Sequence, residues 1–532
     1  ITRKTGFGAS SLRMPGAVLL LAALLALLLP APPQAHAAKT TGGKPQKGIS
    51  DKALKKHIET LLIREDLKGY QLGLALYSTA GKRYLYQHDI NQTYIAASNI
   101  KLVTTYAALK SLSPEYRWRT RVYLVEEKDP SGGKTRLGLL VKGVGDPTIR
   151  VADFEKLAAV LLSMGIHRLD GSLYLDDRLY DGTTRPDSWK ANGGSQRWFA
   201  PVSPFVVEQN LIEFIISSRD AKVFNVKTIS GSFQVDSRFK IEPQSSPLVH
   251  VTQDWSGGTA RFHLRGTMPE ELEPYFIEAA VNDPIVYFHV LLRERLNRQG
   301  IEGPLPLVRS AAPGLSKEYI HTISSRPLSE VIRHVNKDSS NLAAESLLMA
   351  MGRLEKDSGV SAADGLGVVA RVVESDFSKL SGQLNMADGS GLSRQGMISP
   401  RLLVNILNHV SRDFSLQAEY INSLSLAGVD GTLQYRNFPY WMRGKLRAKS
   451  GTLDGVGNIS GYMELPGDVV IFSFLINGSD RSFLELQESQ DRVLTGIFEA
   501  LAGRASPKTA GAGGPQEAGR KNSGRGQDIS SN

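Results

Sequence analysis

A serine and a lysine three residues apart are the first pair in this 532-residue chain whose types and spacing could do chemistry. In the stretch YIAASNIKLVTTYAALKSL, Ser98 and Lys101 stand at the start of a pattern typical of a helix. On a helix, side chains three positions apart lie on one face. A lysine buried beside a serine has a lowered pKa, so that its neutral amine can accept the serine proton. The alternative interpretation is a helix-capping serine with a solvated lysine.

The S-x-x-K spacing is weak by itself, because two other pairs in the chain also have it. Ser131 and Lys134 stand in a glycine-rich turn, and Ser237 and Lys240 stand in a strand-like run. Only Ser98 precedes an apolar helical stripe that would hold the helix in a core. This setting favours Ser98 as the candidate nucleophile.

A second candidate group is the run Ser339-Ser340-Asn341, directly before a helical pattern. A turn of this kind can present the hydroxyl of Ser339 and the amide of Asn341 to one side of a cleft. The alternative interpretation is again helix capping, for which serine and asparagine are preferred.

A third candidate group lies in the first of three strand-like runs near the end of the chain, LRAKSGTLDG. A cation at Lys449 and hydroxyls at Ser450 and Thr452 suit a peptide that lies along the strand and ends in a carboxylate. Gly451 is expected to let that ligand approach the backbone closely. The alternative interpretation is an ordinary turn at a strand end.

Taken together and in this order, the three groups resemble the S-x-x-K, S-D-N and K-T-G set of penicillin-recognising serine enzymes. The chain resembles D-alanyl-D-alanine carboxypeptidases/endopeptidases of the penicillin-binding protein 4 type. Further stretches that resemble this family are VKGVGDPTI, DGSGLSR and AGVDGTLQYR, and the likeness spans most of residues 51–502. The chain departs from this pattern at two middle positions, with S-S-N in place of S-D-N and K-S-G in place of K-T-G. The first and last residues of both motifs are kept.

The resemblance implies an acyl-enzyme mechanism on peptidoglycan stem peptides. Ser98 attacks the carbonyl carbon of the D-Ala–D-Ala bond, Lys101 takes its proton, and the N–H groups of Ser98 and Thr452 hold the oxyanion, each contributing about 3 kcal/mol. Water then hydrolyses the acyl-enzyme. The resemblance further implies a proton relay and peptide orientation by Ser339, Asn341 and Lys449, and binding of the terminal carboxylate by Ser450, Thr452 and Lys449.

The same resemblance implies that β-lactam antibiotics are covalent inhibitors and that no cofactor is needed. Two other functions remain open at this point. A serine β-lactamase would use the same residues to hydrolyse the drug, although no deacylating glutamate motif follows the first helix. A non-catalytic cell-wall-binding homologue would keep the fold without the chemistry.

Composition excludes several other kinds of site. The chain has no cysteine, which excludes disulfides, thiolate metal sites and a cysteine nucleophile. Its ten histidines show no H-E-x-x-H spacing, so no metal site is expected. Nine of the ten excess positive charges lie in residues 1–50 and 503–532, so nucleic-acid binding by the body is not expected either. Weak peripheral contact with anionic membrane or cell-wall surfaces is compatible with these basic ends.

The first 37 residues have the layout of a secretory signal peptide, with a basic lead, an apolar run from Ala17 to Leu29 and the sequence Ala35-His36-Ala37. We expect cleavage after Ala37 and export to the periplasm of a bacterium; the alternative is an uncleaved anchor. Residues 38–50 are expected to be a linker, and residues 503–532 a disordered tail rich in Gly, Ala, Ser and Pro.

The pattern along residues 51–502 predicts where these groups sit. A helix over 51–67, a hairpin around 79–82 and the helix opened by Ser98 come first. A β-rich segment with one helix at 151–164 follows, then several helices, three alternating strands and a last helix over 482–501. We therefore expect an α/β (α+β) domain of the transpeptidase/β-lactamase-like kind, residues 51–117 and 279–502, with an antiparallel sheet flanked by helices. Residues 118–278 would form an inserted β-rich domain.

Overall fold

The computed structural model describes residues 49–503 except 129–131, 187, 190–193, 221–222, 228–229, 243–245, 257–259 and 270–273. The expected signal peptide, most of the expected linker and all but the first residue of the expected tail lie outside the described residues, as does Ser131. No helix in the described ranges is both long enough and apolar enough to cross a membrane.

The described residues contain ten α-helices, which are α1 Asp51–Arg64, α2 Ile100–Leu112, α3 Val151–Ser163, α4 Pro284–Arg298, α5 Leu328–Lys337, α6 Asn341–Gly352, α7 Ala362–Phe377, α8 Pro400–Val410, α9 Gln417–Ser423 and α10 Phe483–Leu501. The strands are β1 Gln71–Ser78, β2 Arg83–His88, β3 Tyr94–Ile95, β4 Arg119–Glu127, β5 Arg136–Lys142, β6 Leu173–Asp176, β7 Leu211–Asp220, β8 Val223–Lys227, β9 Gln234–Ile241, β10 Leu248–Asp254, β11 Arg261–Met268, β12 Tyr275–Ala280, β13 Leu307–Arg309, β14 Ser316–Ser324, β15 Leu384–Asn385, β16 Met397–Ile398, β17 Ser425–Leu426, β18 Leu446–Leu453, β19 Val456–Leu465 and β20 Asp468–Asn477.

A six-stranded antiparallel sheet in the order β17-β18-β19-β20-β1-β2 forms the centre of the first domain. It joins the first hairpin to the last three strands, as the sequence pattern predicts. Successive residues of β20 point to opposite faces. Phe472 and Phe474 enter a core with α1 and α10, whereas Ile471 and Leu475 enter the core that holds α2, α5, α6, α7 and α8.

Strand alternation also decides which way the K-S-G strand presents its lysine. Ala448 lies in the core on the α1 and α10 side. Its neighbour Lys449 therefore points to the opposite face of the sheet, toward α2 and α6. The sheet thus brings a residue from the last quarter of the chain next to the helix that begins just after Ser98.

The inserted segment has its own core and three sheets. One sheet has the order β13-β6-β5-β4-β14, and two three-stranded sheets have the orders β10-β11-β9 and β12-β7-β8. The helices α3 and α4 pack into the core of this segment.

The pairing of β14 bears on where the chain leaves the insert, which was expected to end at residue 278. The strand β14 pairs with β4 from Ser316↔Glu126 to Ser324↔Arg119, and Ile323 is buried in the same core as α4. These elements need partners from the insert to bury their apolar faces, which sequence periodicity does not show. We propose residues 118–325 as the insert, so that the second segment of the first domain begins near 326.

Candidate active site

Ser98 lies on a 3₁₀ turn, Ala97–Asn99, which leads into α2. The N-cap of α2 is Asn99, and neither the turn nor the helix has a side-chain cap. The helix-capping interpretation of Ser98 therefore does not apply. Every residue of α2 from Ile100 to Leu109 is buried, including Lys101, so the lysine is not solvated.

The three sequence motifs meet in one row of hydrogen-bonded groups. Lys101 Nζ lies 3.0 Å from Ser98 Oγ. Ser339 Oγ donates to Ser98 Oγ at 3.2 Å, and Lys449 Nζ donates to Ser339 Oγ at 3.0 Å. An amine, two hydroxyls and a second amine thus form a continuous path along which protons can move.

Burial gives Lys101 the properties of a base. Its side chain is fully buried, and this loss of hydration lowers its pKa to about 7, although the carboxylates of Asp388 and Glu345 act in the opposite direction. Asn341 Oδ1 and the Ser390 carbonyl each accept from Lys101 Nζ at 2.7 Å. These two acceptors hold the amine in place beside Ser98.

Lys449 has a similar environment. It is also fully buried, and its pKa lies well below the usual value because of burial and, second, because of repulsion by the charge on Lys101. Its Nζ also donates to the carbonyl of Ser450 at 2.7 Å. Two buried amines in one row disfavour a state in which both are protonated.

The middle serine of the S-S-N motif explains why the departure from S-D-N is compatible with the site. Ser340 is the N-cap of α6, and its Oγ accepts from Ala343 N at 3.2 Å. Capping is therefore the role of the middle residue, whereas the outer residues Ser339 and Asn341 contact Ser98 and Lys101.

The backbone is in the left-handed region at two non-glycine residues of the site. Ala97, which precedes the candidate nucleophile, has φ 45°, and Ser339 has φ 58°. Such conformations cost about 1–3 kcal/mol each and persist where the surroundings impose them. Part of that constraint comes from Gly391, because a Cβ built there would lie 1.8 Å from the Ala97 carbonyl oxygen.

The loop DGSGLSR supplies a contact that the sequence pattern does not predict. The buried carboxylate of Glu345 accepts from the N–H groups of Gly389 at 3.0 Å and Ser390 at 2.9 Å, and burial raises the pKa of Glu345 to about 8. Asp388 accepts from Ser393 N at 2.7 Å. These bonds direct the Ser390 carbonyl at the lysine of the first motif, and no sequence signal identified Glu345.

Gly451 has a packing role that the sequence pattern does not predict. A Cβ at this position would lie 2.9 Å from Ser98 N, 2.9 Å from Asn99 Nδ2 and 3.0 Å from Asn99 N. The glycine therefore allows β18 to pack against the turn that carries Ser98. This close approach is between two segments of the chain, and the prediction that Gly451 also lets a ligand approach the backbone stays a prediction.

Gly451→Ala is expected to reduce the free energy of unfolding by about 1–3 kcal/mol, because the added methyl group has to displace backbone atoms of the Ser98 turn. Acylation should also be slower in the folded variant. Chemical denaturation measures the first effect. Gly69→Ala is the matched control, since nothing lies within 4 Å of its Cβ position; equal stability of the two variants would contradict this packing.

The K-S-G strand leaves part of its outer edge open. The short strand β17 pairs only with Arg447 and Ala448, so in the described ranges no strand covers the edge beside Ser450 and Thr452. Ser450 Oγ donates to Thr432 Oγ1 at 2.8 Å, and Thr452 is exposed. Thr432, from the stretch AGVDGTLQYR, was not a predicted site residue.

A salt bridge positions the turn that carries Thr432. Lys337 Nζ donates to Asp430 Oδ2 at 2.6 Å and to the Leu424 carbonyl at 2.8 Å. Asp430 Oδ1 accepts from Leu426 N at 2.8 Å. The last residue of α5 thus connects the S-S-N turn with the hydroxyl next to the K-S-G strand.

The insert contributes contacts to the same site. Asn341 Nδ2 donates to the Trp198 carbonyl at 3.1 Å, and Trp189 Nε1 donates to Asp388 Oδ2 at 2.8 Å. Gln209 Oε1 accepts from Ser340 Oγ at 3.4 Å. One wall of the site therefore comes from the segment between β6 and β7. No group of three or more His, Asp or Glu side chains in the described residues could hold a metal ion.

Comparison with known proteins identifies the family. Residues 54–495 match the model of the D-Ala-D-Ala carboxypeptidase 3 (S13) family. A D-alanyl-D-alanine carboxypeptidase of Actinomadura sp. is 27% identical over 441 residues, covering 80% of this chain and 81% of that protein. The D-alanyl-D-alanine carboxypeptidase DacB of Haemophilus influenzae is 24% identical over 407 residues, covering 74% and 82%.

A solved structure shows the same fold. The crystal structure of penicillin binding protein 4 from Haemophilus influenzae superimposes with a TM-score of 0.70 at 21% identity, covering 83% of this chain and 99% of that one. The predicted fold class and the resemblance to the penicillin-binding protein 4 type are confirmed. The chain belongs to the D-Ala-D-Ala carboxypeptidase 3 (S13) family.

Proposed function

We propose that this D-Ala-D-Ala carboxypeptidase acts on peptidoglycan stem peptides through an acyl-enzyme on Ser98. The observation that carries the proposal is the hydrogen-bonded row from Lys101 through Ser98 and Ser339 to Lys449. A nucleophile with an adjacent neutral amine and a second route for its proton is what acyl transfer requires.

In the acylation step, neutral Lys101 accepts the proton of Ser98, whose Oγ forms a bond to the carbonyl carbon of the D-Ala–D-Ala bond. The N–H groups of Ser98 and Thr452 are proposed to hold the oxyanion. The C–N bond then breaks, and the leaving amine takes a proton delivered through Ser339 and Lys449. Water attacks the ester, which releases the shortened peptide and restores the Ser98 hydroxyl. Asn341 holds the amine of Lys101 throughout.

The terminal carboxylate of the substrate is assigned to the hydroxyls of Ser450 and Thr452 at the open edge of β18. Lys449 is fully buried; when Lys101 is neutral, the repulsion that helps to lower the pKa of Lys449 is relieved, so that Lys449 can carry the positive charge of the row. A carboxylate here would accept from hydroxyls in a region made positive by lysine, which favours a peptide with a free C-terminus. Cleavage of cross-links between stem peptides, the endopeptidase activity, would use the same serine and the same edge.

β-Lactam antibiotics are proposed to acylate Ser98 and to form an acyl-enzyme that is hydrolysed slowly. The intact row of groups argues against a non-catalytic cell-wall-binding homologue. Exposure to benzylpenicillin, followed by intact-mass analysis and mapping of the modified peptide, tests both the nucleophile and the β-lactamase alternative. A long-lived adduct on Ser98 supports the peptidase, whereas rapid drug hydrolysis with no adduct would support a β-lactamase.

Export to the periplasm is proposed from the leader sequence of residues 1–37, and the basic ends are proposed to allow peripheral contact with membrane or cell wall. N-terminal sequencing of the mature protein should give Ala38 as the first residue. An intact leader in the mature protein would instead indicate an anchor.

Thr432→Val is expected to raise the KM for a pentapeptide by about fivefold, because one hydrogen bond that orients Ser450 is lost. The change in kcat should be smaller, since the row at Ser98 is untouched. Steady-state kinetics with D-alanine detection measures both. Thr60→Val, on the exposed face of α1, is the control; a fall in kcat without a change in KM would contradict the carboxylate assignment.

A further inference from the structure

A cleft of about 820 Å³ opens between the β1–β2 hairpin, the C-terminal end of α7 and one face of α8. Its walls include Tyr77, Tyr84, Lys379, Arg401, Asn405 and Asn408. None of the candidate catalytic or carboxylate-binding residues lines it. The cleft is therefore separate from the site described above.

One face of α8 supplies hydrogen-bonding groups to this cleft, and some of them are already paired: Asn405 Nδ2 donates to the Arg401 carbonyl at 2.8 Å, and an Arg401 N–H donates to Gln87 Oε1 at 3.4 Å. Arg401, Asn405 and Asn408 are spaced i, i+4 and i+7, which places them on one side of the helix. Arg401 Nε and Asn408 Oδ1 are buried, yet neither has a partner among the residues that the structure describes. Buried polar atoms in folded proteins nearly always have a partner, and a small rotation of these two side chains toward the cleft would let them contact a ligand there.

Two tyrosines stand across from that helix face. The rings of Tyr77 and Tyr84 are 5.3 Å apart, edge to face, and the guanidinium of Arg401 lies 5.8 Å from the Tyr84 ring centre. Asn405 Nδ2 donates to the Tyr84 hydroxyl at 3.4 Å. Aromatic faces with amide and guanidinium groups nearby suit a ligand that has both apolar C–H faces and many oxygen atoms.

The charge of the cleft favours an acceptor-rich ligand. Arg401 and Lys379 bring two positive charges to the walls. The carboxylate of Asp376 is already engaged by the Tyr106 hydroxyl and lies 3.7 Å from Lys110 Nζ. Donors for ligand oxygens therefore outnumber free carboxylates, which suits hydroxyl and acetamido groups.

We propose that this cleft binds an N-acetylhexosamine oligosaccharide, the glycan that carries the stem peptides, at a position distinct from the active site. The inference rests on the proposed function, because it takes a glycan-borne peptide as the substrate. Binding of the sugar chain here would hold the polymer on the enzyme while individual peptides enter the site at Ser98.

Titration calorimetry with glycan strands freed of stem peptides tests the proposal without any catalytic step. The full protein should bind them, and Arg401→Gln should weaken binding about tenfold, because a charged donor is lost. Asn405→Ala should weaken binding as well and serves if Arg401→Gln does not fold. Arg121→Gln, an exposed arginine of β4, is the matched control and should bind like the unchanged protein. No binding of the strands, or equal binding by all four proteins, would overturn the proposal.

A kinetic comparison separates this proposal from that of the active site. For Arg401→Gln, the KM for glycan-attached pentapeptide should rise several-fold more than the KM for free pentapeptide. An equal rise for the two substrates would overturn the glycan site. Glycan binding with no D-alanine release from either substrate would instead overturn the proposed function alone.

Discussion

Replacing Ser98 with alanine is expected to abolish both D-alanine release and acylation by benzylpenicillin. The loss in kcat/KM should be about 10⁴-fold or more, because the replacement removes the oxygen that forms the ester while the partners Lys101 and Ser339 stay in place. Release of D-alanine from a pentapeptide measures the turnover, and intact mass measures the adduct.

The chain contains a matched control for this experiment. Ser237 and Lys240 have the same S-x-x-K spacing, but both lie in the strand β9 of the insert. Ser237→Ala should keep full activity and full acylation. A Ser98→Ala protein that still releases D-alanine would contradict the assignment of Ser98 as the nucleophile. An inactive Ser237→Ala protein would show that the loss of activity is not specific to Ser98.

Lys101→Arg is expected to lower the rate of acylation by about 10²–10⁴-fold and to remove its dependence on pH near neutrality. Arginine keeps the positive charge but cannot lose a proton in proteins, so it cannot serve as a base. In the unchanged protein the pKa of Lys101 is lowered to about 7 by burial. Below this pH the amine is charged and acylation is slow, and above it the amine is neutral and acylation reaches a plateau.

Stopped-flow acylation by benzylpenicillin between about pH 5 and pH 9 measures this profile, a range that brackets the lowered pKa. The matched control is Lys240→Arg, the lysine of the strand pair, which should keep both the rate and the profile. An unchanged acylation rate in Lys101→Arg, or a wild-type rate that shows no plateau and still rises at the upper end of this pH range, would contradict the role of Lys101 as base.

Local elements around the site could be predicted well from sequence. The hairpin of β1 and β2, the three strands β18–β20 and the last helix all follow from apolar alternation and from turn residues, which are local properties. The first helix ends at Arg64 rather than near residue 67, and the helix after Ser98 begins through a 3₁₀ turn. Boundaries of this kind depend on how the ends pack.

The role of Gly451 and the end of the insert both depend on contacts that local sequence patterns do not predict. Glycine in a strand signals a close approach at Gly451, and only the fold shows that one approaching group is the turn at Ser98. Residues 316–324 fall in the segment 279–502 that was expected to belong to the first domain, yet as β14 they pair with β4, which begins the proposed insert. In both cases the partner lies far away in sequence.

The sequence by itself determined the kinds of groups available to this enzyme: a serine and lysine one helical turn apart, a serine and asparagine before a helix, and a K-S-G run in a strand. Spacing within a helix or strand is set by backbone geometry, so it can be read from neighbouring residues. The tertiary structure alone decided that Ser98, Ser339 and Lys449 form one hydrogen-bonded row. It also decided that Lys101 is buried away from water, which lowers its pKa. Burial and charge proximity come from packing of distant segments, and local residue order carries no measure of either.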